Sequence, residues 1–229
     1  TNHSGLSFNK TSISEAETYS KSKELYQACL AAAAWFANNL KSSLGEKARH
    51  YLDRRGLSKE TQEKFLIGFA PSQGTSLTEH LLKKGFSERV IIEAGLAILP
   101  PEKERPFDRF RDRIIFPNAD AQGKIVAFGG RILGDGQPKY LNSPEIPIFH
   151  KGQVIYGLDN ATKLAKKESP WIVVEGYLDV IMLHQNGYTG AVAAMGTAVG
   201  EFQLLQLWSR SPLITFCCDG DDAGQNAAD

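Results

Sequence analysis

The chain has 229 residues, 42% of them hydrophobic and 23% charged, the composition of an ordinary soluble globular protein with one large or two small domains. Lys and Arg total 26 and Asp and Glu total 26, which excludes a basic field over the whole surface, so any grip on a polyanion has to be local. There is no run of about 18 apolar residues, which excludes a membrane span, and no secretory signal is visible.

Thr1 to Ser22 is rich in Ser, Thr and Asn and reads as a flexible linker. Helical periodicity begins at Leu25, with Cys29, Ala32, Phe36, Asn39 and Leu40 on the same face. A second helix from about Glu46 to Arg55 stops at Gly56, and Ser58 can cap a short third helix carrying Thr61, Phe65 and Leu66. Ser76-Leu77-Thr78-Glu79 has the capping-box pattern and its helix stops at Gly85. Ser87 to Gly95 repeats the layout. This half reads as packed short helices, with Arg49, Arg54, Arg55 and Lys59 on a solvated face.

The composition changes after Leu99-Pro100-Pro101. Arg109, Arg111 and Arg113 alternate, and on an extended strand they would project to one face about 6.5–7 Å apart. Such a ladder either holds a phosphate backbone or forms a polar face paired with Asp108 and Asp112. Asp120 to Gly123 reads as a hairpin turn. The returning strand, Ile125 to Ile132, holds Gly129 and Gly130, so another group is expected to approach that backbone closely, or the strand to bulge. Lys139 and Lys151 are point charges suited to phosphate, Tyr140 and Asn142 can contact a sugar or base, and His150 reads as a structural hydrogen-bonding residue. A helix then runs from Tyr156-Gly157-Leu158-Asp159 to about Lys167.

Three apolar runs follow, each ending in a polar cluster: Trp171 to Val174 into Glu175-Gly176, Gly190 to Ala194 into Gly196-Thr197, and Leu213 to Cys218 into Asp219-Gly220-Asp221. Helical segments at Leu178–Gln185 and Glu201–Arg210 separate them. That alternation predicts parallel strands whose C-terminal ends share one edge, the edge where ligands bind in open α/β sheets. Glu175, Asp179, Thr197, Asp219, Asp221 and Asp222 would collect there. Carboxylates this close repel one another unless a divalent cation sits among them, and hard oxygen donors point to Mg²⁺ or Mn²⁺ rather than zinc. Cys29, Cys217 and Cys218 suit neither disulfides nor a zinc site and read as small buried thiols in a reducing compartment.

Glu175-Gly176-Tyr177-Leu178-Asp179 and Asp219-Gly220-Asp221 resemble the two acidic motifs of the Toprim domain, shared by bacterial-type primases, topoisomerases and some nucleases. Arg109 to Ile114, Phe128 to Arg131, Lys139 to Glu145, His150 to Gly152 and Gly196-Thr197-Ala198, in that order, resemble the bacterial replicative primase. The resemblance implies an α/β chain: an N-terminal mixed α+β subdomain over 23–168 and a Toprim-type parallel α/β sheet over 169–229, incomplete at its C-terminus. It implies DNA-templated synthesis of short RNA primers from ribonucleoside triphosphates, in the cytoplasm at the replisome.

Carried over by motif, Glu175, Asp219 and Asp221 would be metal ligands for Mg²⁺ or Mn²⁺, with Asp179 a further catalytic carboxylate. Arg131, Lys139, Tyr140, Asn142 and Lys151 would bind the nucleotide, and Arg109, Arg111 and Arg113 the template or nascent hybrid. The implied partners are single-stranded DNA, ribonucleoside triphosphates and the RNA primer. The chain reads as a fragment, with a zinc domain before Thr1 and, after Asp229, the rest of the Toprim domain and a domain that binds the replicative helicase. The competing reading is a Toprim nuclease or topoisomerase, the latter with Tyr177 or Tyr140 as nucleophile. A DNA-binding module that keeps only the fold is disfavoured by the intact Glu175, Asp219 and Asp221.

Overall fold

The computed structural model describes residues 10–72, 76–165, 169–195 and 199–218, with side chains from residue 18 onward. Thr197, Asp219, Asp221 and Asp222, all expected at the acidic edge, lie outside the described residues.

Helix α1 spans Lys10–Lys41. Leu25, Ala28, Cys29, Ala32, Ala33, Phe36 and Leu40 are buried along it, the apolar stripe of a core helix. The linker reading therefore fails for residues 10–22, which continue this helix. Polar Ser and Thr there only weaken helix propensity, no Gly or Pro interrupts the run, and extending an existing helix is far easier than nucleating one.

Next come α2 (Glu46–Arg54), α3 (Lys59–Lys64) and strand β1 (Gly68–Ala70). Helices α4 (Leu77–Lys83) and α5 (Glu88–Glu93) follow, then the short strands β2 (Ala97–Ile98) and β3 (Phe107–Asp108). The expected caps form. Ser58, Ser76 and Ser87 accept from the backbone N–H groups of Thr61, Glu79 and Val90, and Gly56, Gly85 and Gly95 take positive φ at the helix exits. Buried Asp108 adds a cap from a distance, accepting from Leu77 N at 2.6 Å, Thr78 N at 2.9 Å and Thr78 Oγ1 at 2.6 Å. Asp108→Ala would strand buried donors at the start of α4, and we expect it to lower stability by about 3 kcal/mol in a urea titration.

Strands β4 (Arg113–Ala119), β5 (Ile125–Ile132) and β6 (Tyr140–Asn142) complete an antiparallel sheet in the order β1-β4-β5-β6. Ile115 and Phe128 pack with Phe36 of α1 on one side. Ile114 and Phe116 face the other, against Leu52 of α2. The period-two alternation of a strand thus makes this sheet a middle layer.

Strand β7 (Ile155–Tyr156) and helix α6 (Leu158–Leu164) lead to β8 (Trp171–Val174), α7 (Tyr177–Gln185), β9 (Ala191–Ala194), α8 (Glu201–Trp208) and β10 (Ile214–Phe216). The second sheet has the order β10-β8-β9-β7. As expected, β8 is parallel to both β9 and β10, while β7 is antiparallel to β9. Leu158, Ala161 and Leu207 cover one face with Trp171, Val173 and Val192. Val180 and Ile181 of α7 join Val174 and Ala193 to Phe116 of the first sheet, so the two sheets share an apolar layer.

Cys29 is buried, but Cys217 is exposed and Cys218 half-buried. Strand β10 ends at Phe216, so neither of the latter sits inside the sheet as the sequence suggested. Among the described residues, no helix is long and apolar enough to cross a membrane.

Candidate active site

Strand β8 ends at Val174, directly before Glu175, and α7 starts two residues later with Gly176 as its N-cap. Asp179, one turn into α7, accepts from the Gly176 N–H at 3.0 Å through Oδ2. That bond fixes the carboxylate at the helix start, where the backbone N–H groups favour negative charge. Glu175 and Asp179 line one cleft of about 530 Å³. The same cleft is lined by Lys139, Tyr140 and Asn142 of the β6 segment, Lys151, and Arg55 at the exit of α2. Phe216 pairs with Val173, and Cys217 N donates to Val173 O at 2.9 Å, so β10 reaches the sheet edge beside β8.

The cationic wall is held by backbone contacts. Glu145 accepts from the Lys151 N–H at 3.0 Å and meets His150 Nδ1 at 3.1 Å, the structural role expected of that histidine. The Glu145 carboxyl lies below its usual pKa, chiefly because of the Lys151 N–H. Buried Gln203 of α8 donates to the carbonyls of Lys151, at 3.1 Å, and Val154, at 2.9 Å. Asn142 accepts the Tyr177 hydroxyl at 2.9 Å on its side chain, and its backbone carbonyl takes Arg109 Nε at 3.2 Å and Nη2 at 2.8 Å.

Tyr177 anchors the floor. Its ring stacks on Phe116 with centroids 5.0 Å apart and meets Tyr156 edge-on at 4.7 Å. A side chain at Gly129 would overlap this ring, which is the close approach that the glycine pair foretold; at Gly130 the neighbour is Phe110. Burial drives the Tyr177 hydroxyl far above its usual pKa, and burial also raises that of Tyr140. Tyr177 is 7% exposed and already hydrogen-bonded, so it is not placed as a nucleophile. Tyr177→Phe should cost about 1 kcal/mol of stability in thermal melts, the net worth of one hydrogen bond, and lower activity by only a few-fold through the released Asn142 side chain. An abolished reaction with an intact fold would contradict this role.

The arginine ladder does not form. Residues 109–112 are not a strand, and Asp112 takes φ 51°, which turns the chain between β3 and β4. Arg109 is committed to the Asn142 carbonyl. Arg113 is buried and donates to Gly130 O at 3.0 Å. Arg111 is exposed and lies 4.7 Å from the Phe107 ring. Period-two spacing implies one face only if the backbone is extended throughout. Arg131 lies outside the cleft lining, with its guanidinium 4.3 Å from the Tyr51 ring and Nη1 donating to Ile132 O at 2.9 Å.

Arg55 is exposed, in keeping with a solvated face, and it also lines the cleft. Arg49 also does more than meet solvent, holding the Leu40 and Ser42 carbonyls at the end of α1. Nothing in local spacing marks either, because their partners are distant in the chain or off the helix face. Among the described residues, no three His, Cys, Asp or Glu side chains converge as a metal site. Glu175 and Asp179 alone supply two hard carboxylates to one cleft, a donor set that fits Mg²⁺ or Mn²⁺ in kind.

A parallel β8-β9-β10 arrangement with Glu175 directly after β8, in a cleft also lined by Arg55, Lys139 and Lys151, is a Toprim-type arrangement. Residues 35–162 match the family "DNA primase catalytic core, N-terminal domain", and residues 169–229 match "Toprim domain". The DNA primase of Pseudomonas putida KT2440 is 48% identical over 205 residues, covering 89% of this chain and 31% of that protein. The RNA polymerase domain of Mycobacterium tuberculosis primase superposes with a TM-score of 0.82 at 38% identity, over 90% of this chain and 69% of that one. A DnaG primase catalytic domain bound to single-stranded DNA gives 0.82 at 38% identity, over 92% and 65%. The chain belongs to the DNA primase catalytic-core family. It spans about a third of the length of the curated relative it matches.

Proposed function

We propose that this chain is the nucleotidyl-transfer core of a DNA primase that makes short RNA primers on a single-stranded DNA template. The observation that carries this reading is one cleft lined by Arg55, Lys139 and Lys151 together with Glu175 and Asp179. Cations of this kind suit a triphosphate or a phosphate backbone, and the carboxylates suit a divalent ion between them and the phosphates. The catalytic-core family match over residues 35–162 favours a primase over a Toprim nuclease or topoisomerase, and Tyr177, buried and hydrogen-bonded, is not available as a topoisomerase nucleophile.

In this reading the 3′ hydroxyl of one ribonucleotide attacks the α-phosphate of the next and pyrophosphate leaves. Lys139, Lys151 and Arg55 hold the phosphates and offset the charge that builds on them. Asn142, oriented by Tyr177, contacts sugar or base, and Tyr140 offers a ring edge at the cleft mouth. Mg²⁺ or Mn²⁺ bound by Glu175 with Asp219 and Asp221 would lower the pKa of the attacking hydroxyl and neutralise phosphate charge. Arg131 and Arg111 are the arginines available to a template or hybrid outside the cleft, whereas Arg109 and Arg113 act by holding the sheet.

The test is template-directed synthesis by the full-length protein with labelled ribonucleoside triphosphates, single-stranded DNA and Mg²⁺. Labelled oligoribonucleotides that require the template support the reading. Shortening of the DNA strand without ribonucleotide incorporation refutes it.

A further inference from the structure

Helix α7 is tied at both ends to the machinery of the cleft. At its start, Asp179 lines the cleft, and Glu175 lies just before the helix. At its last residue, the Gln185 side chain reaches back to the N-terminal subdomain. Its Oε1 accepts the Ser58 N–H at 2.8 Å, and its Nε2 donates to the Gly56 carbonyl at 2.8 Å. The two backbone groups it satisfies flank Leu57, in the loop where the chain leaves α2. Arg55 is the residue immediately before that loop.

We propose that Gln185 is a positioning residue that sets Arg55 against the cleft carboxylates, using α7 as the spacer between clamp and acid. The proposal rests on Arg55 being a phosphate-binding residue of the cleft, as read above. One side-chain amide, donating and accepting at once, fixes both the distance and the rotation of the peptide segment it grips; a single hydrogen bond would leave rotation free. Only one peptide unit separates the Gly56 carbonyl group from Arg55, so the clamp acts almost directly on the arginine backbone. Gly56 has φ 75°, a conformation that lets the chain turn sharply out of α2. The rigid helix, roughly 13 Å long at 1.5 Å per residue, then holds the distance from clamp to Asp179 constant. The result is a pre-organised pairing of cation and carboxylates across the boundary between the two sheets, which the chain crosses between β6 and β7.

The phosphate that Arg55 meets belongs either to the incoming nucleotide or to the template strand. The test therefore uses the full-length protein and two readouts, KM for ribonucleoside triphosphate in primer synthesis and Kd for fluorescein-labelled single-stranded DNA. Arg55→Ala, Gln185→Met and the double variant are compared with wild type, with thermal melts to confirm folding. Gln185→Met is expected to weaken the same readout that Arg55→Ala weakens, by about fivefold to tenfold, the worth of one to two hydrogen bonds. kcat should change by less than about twofold. The double variant should be no weaker than Arg55→Ala, because the clamp has nothing left to position.

If Gln185→Met unfolds the protein, Gln185→Glu serves in its place. It keeps the acceptor for Ser58 but sets a carboxylate oxygen against the Gly56 carbonyl, so a loss at least as large as that expected of Gln185→Met, and vanishing in the Arg55→Ala background, is expected. Losses that add in full in the double variant, unchanged binding in the Gln185 variants, or unchanged binding in Arg55→Ala would each overturn the proposal. If the wild type makes no primer but the DNA-binding cycle behaves as stated, the primase reading fails and the clamp stands.

Discussion

Glu175→Gln is expected to lower primer synthesis by the full-length protein roughly a thousandfold, equivalent to about 4 kcal/mol of activation free energy. Glu175 follows β8 directly and lines the cleft beside Asp179. Replacing its carboxylate with an amide keeps the shape and removes the charge, which is the property a divalent ion requires of a ligand. The residue is exposed, so stability should stay within about 0.5 kcal/mol of wild type. Loss of synthesis with an unchanged melting curve, and weaker Mn²⁺ binding by calorimetry, would bear the assignment out. Synthesis at the wild-type rate in saturating Mg²⁺ would remove Glu175 from the chemistry.

Gly129→Ala should be strongly destabilising, costing about 3 kcal/mol in denaturant unfolding. The added Cβ would overlap the Tyr177 ring. Phe116 stacks on that ring and Tyr156 meets its side, so it can yield only toward the cleft, at the expense of both contacts. Overpacking of a confined site typically costs 1–3 kcal/mol, and a rigid aromatic neighbour places this one at the upper end. Displacement of Tyr177 would also release Asn142 and shift the start of α7, so activity should fall together with stability. Tyr177→Leu in the Gly129→Ala background should recover part of the stability but not the activity. A Gly129→Ala protein with wild-type stability would show that the ring can yield.

Much of the fold was legible because its signals are local. The Ser starts of α3, α4 and α5 and the Gly stops of α2, α4 and α5 depend on one turn of backbone, and each formed as read. The alternation of apolar runs and helical segments after Trp171 was enough to orient β8, β9 and β10 in parallel. The errors fall where neighbours decide. Residues 10–22 have weak helix formers, yet they continue a helix already anchored by Leu25 and Phe36. Strands β1 and β7, two or three residues long, carry no periodic signal of their own and exist because β4 and β9 offer free edges. The ladder of Arg109, Arg111 and Arg113 was a correct spacing on a backbone that turns at Asp112.

Taken alone, the amino-acid sequence determined which chemistries are present: carboxylates after two strands, lysines and an asparagine upstream, and a glycine pair that demands a close neighbour. These follow from residue type and short spacing, which need no tertiary information. Only the tertiary structure decided which of them meet. It brought Arg55 into the cleft with Glu175 and Asp179, and it spent Arg109 and Arg113 on backbone carbonyls. It also made Tyr177 the ring that Gly129 accommodates. The reason is that a side chain's role depends on what lies within a few ångströms of it, and for these residues those neighbours are far away in the chain.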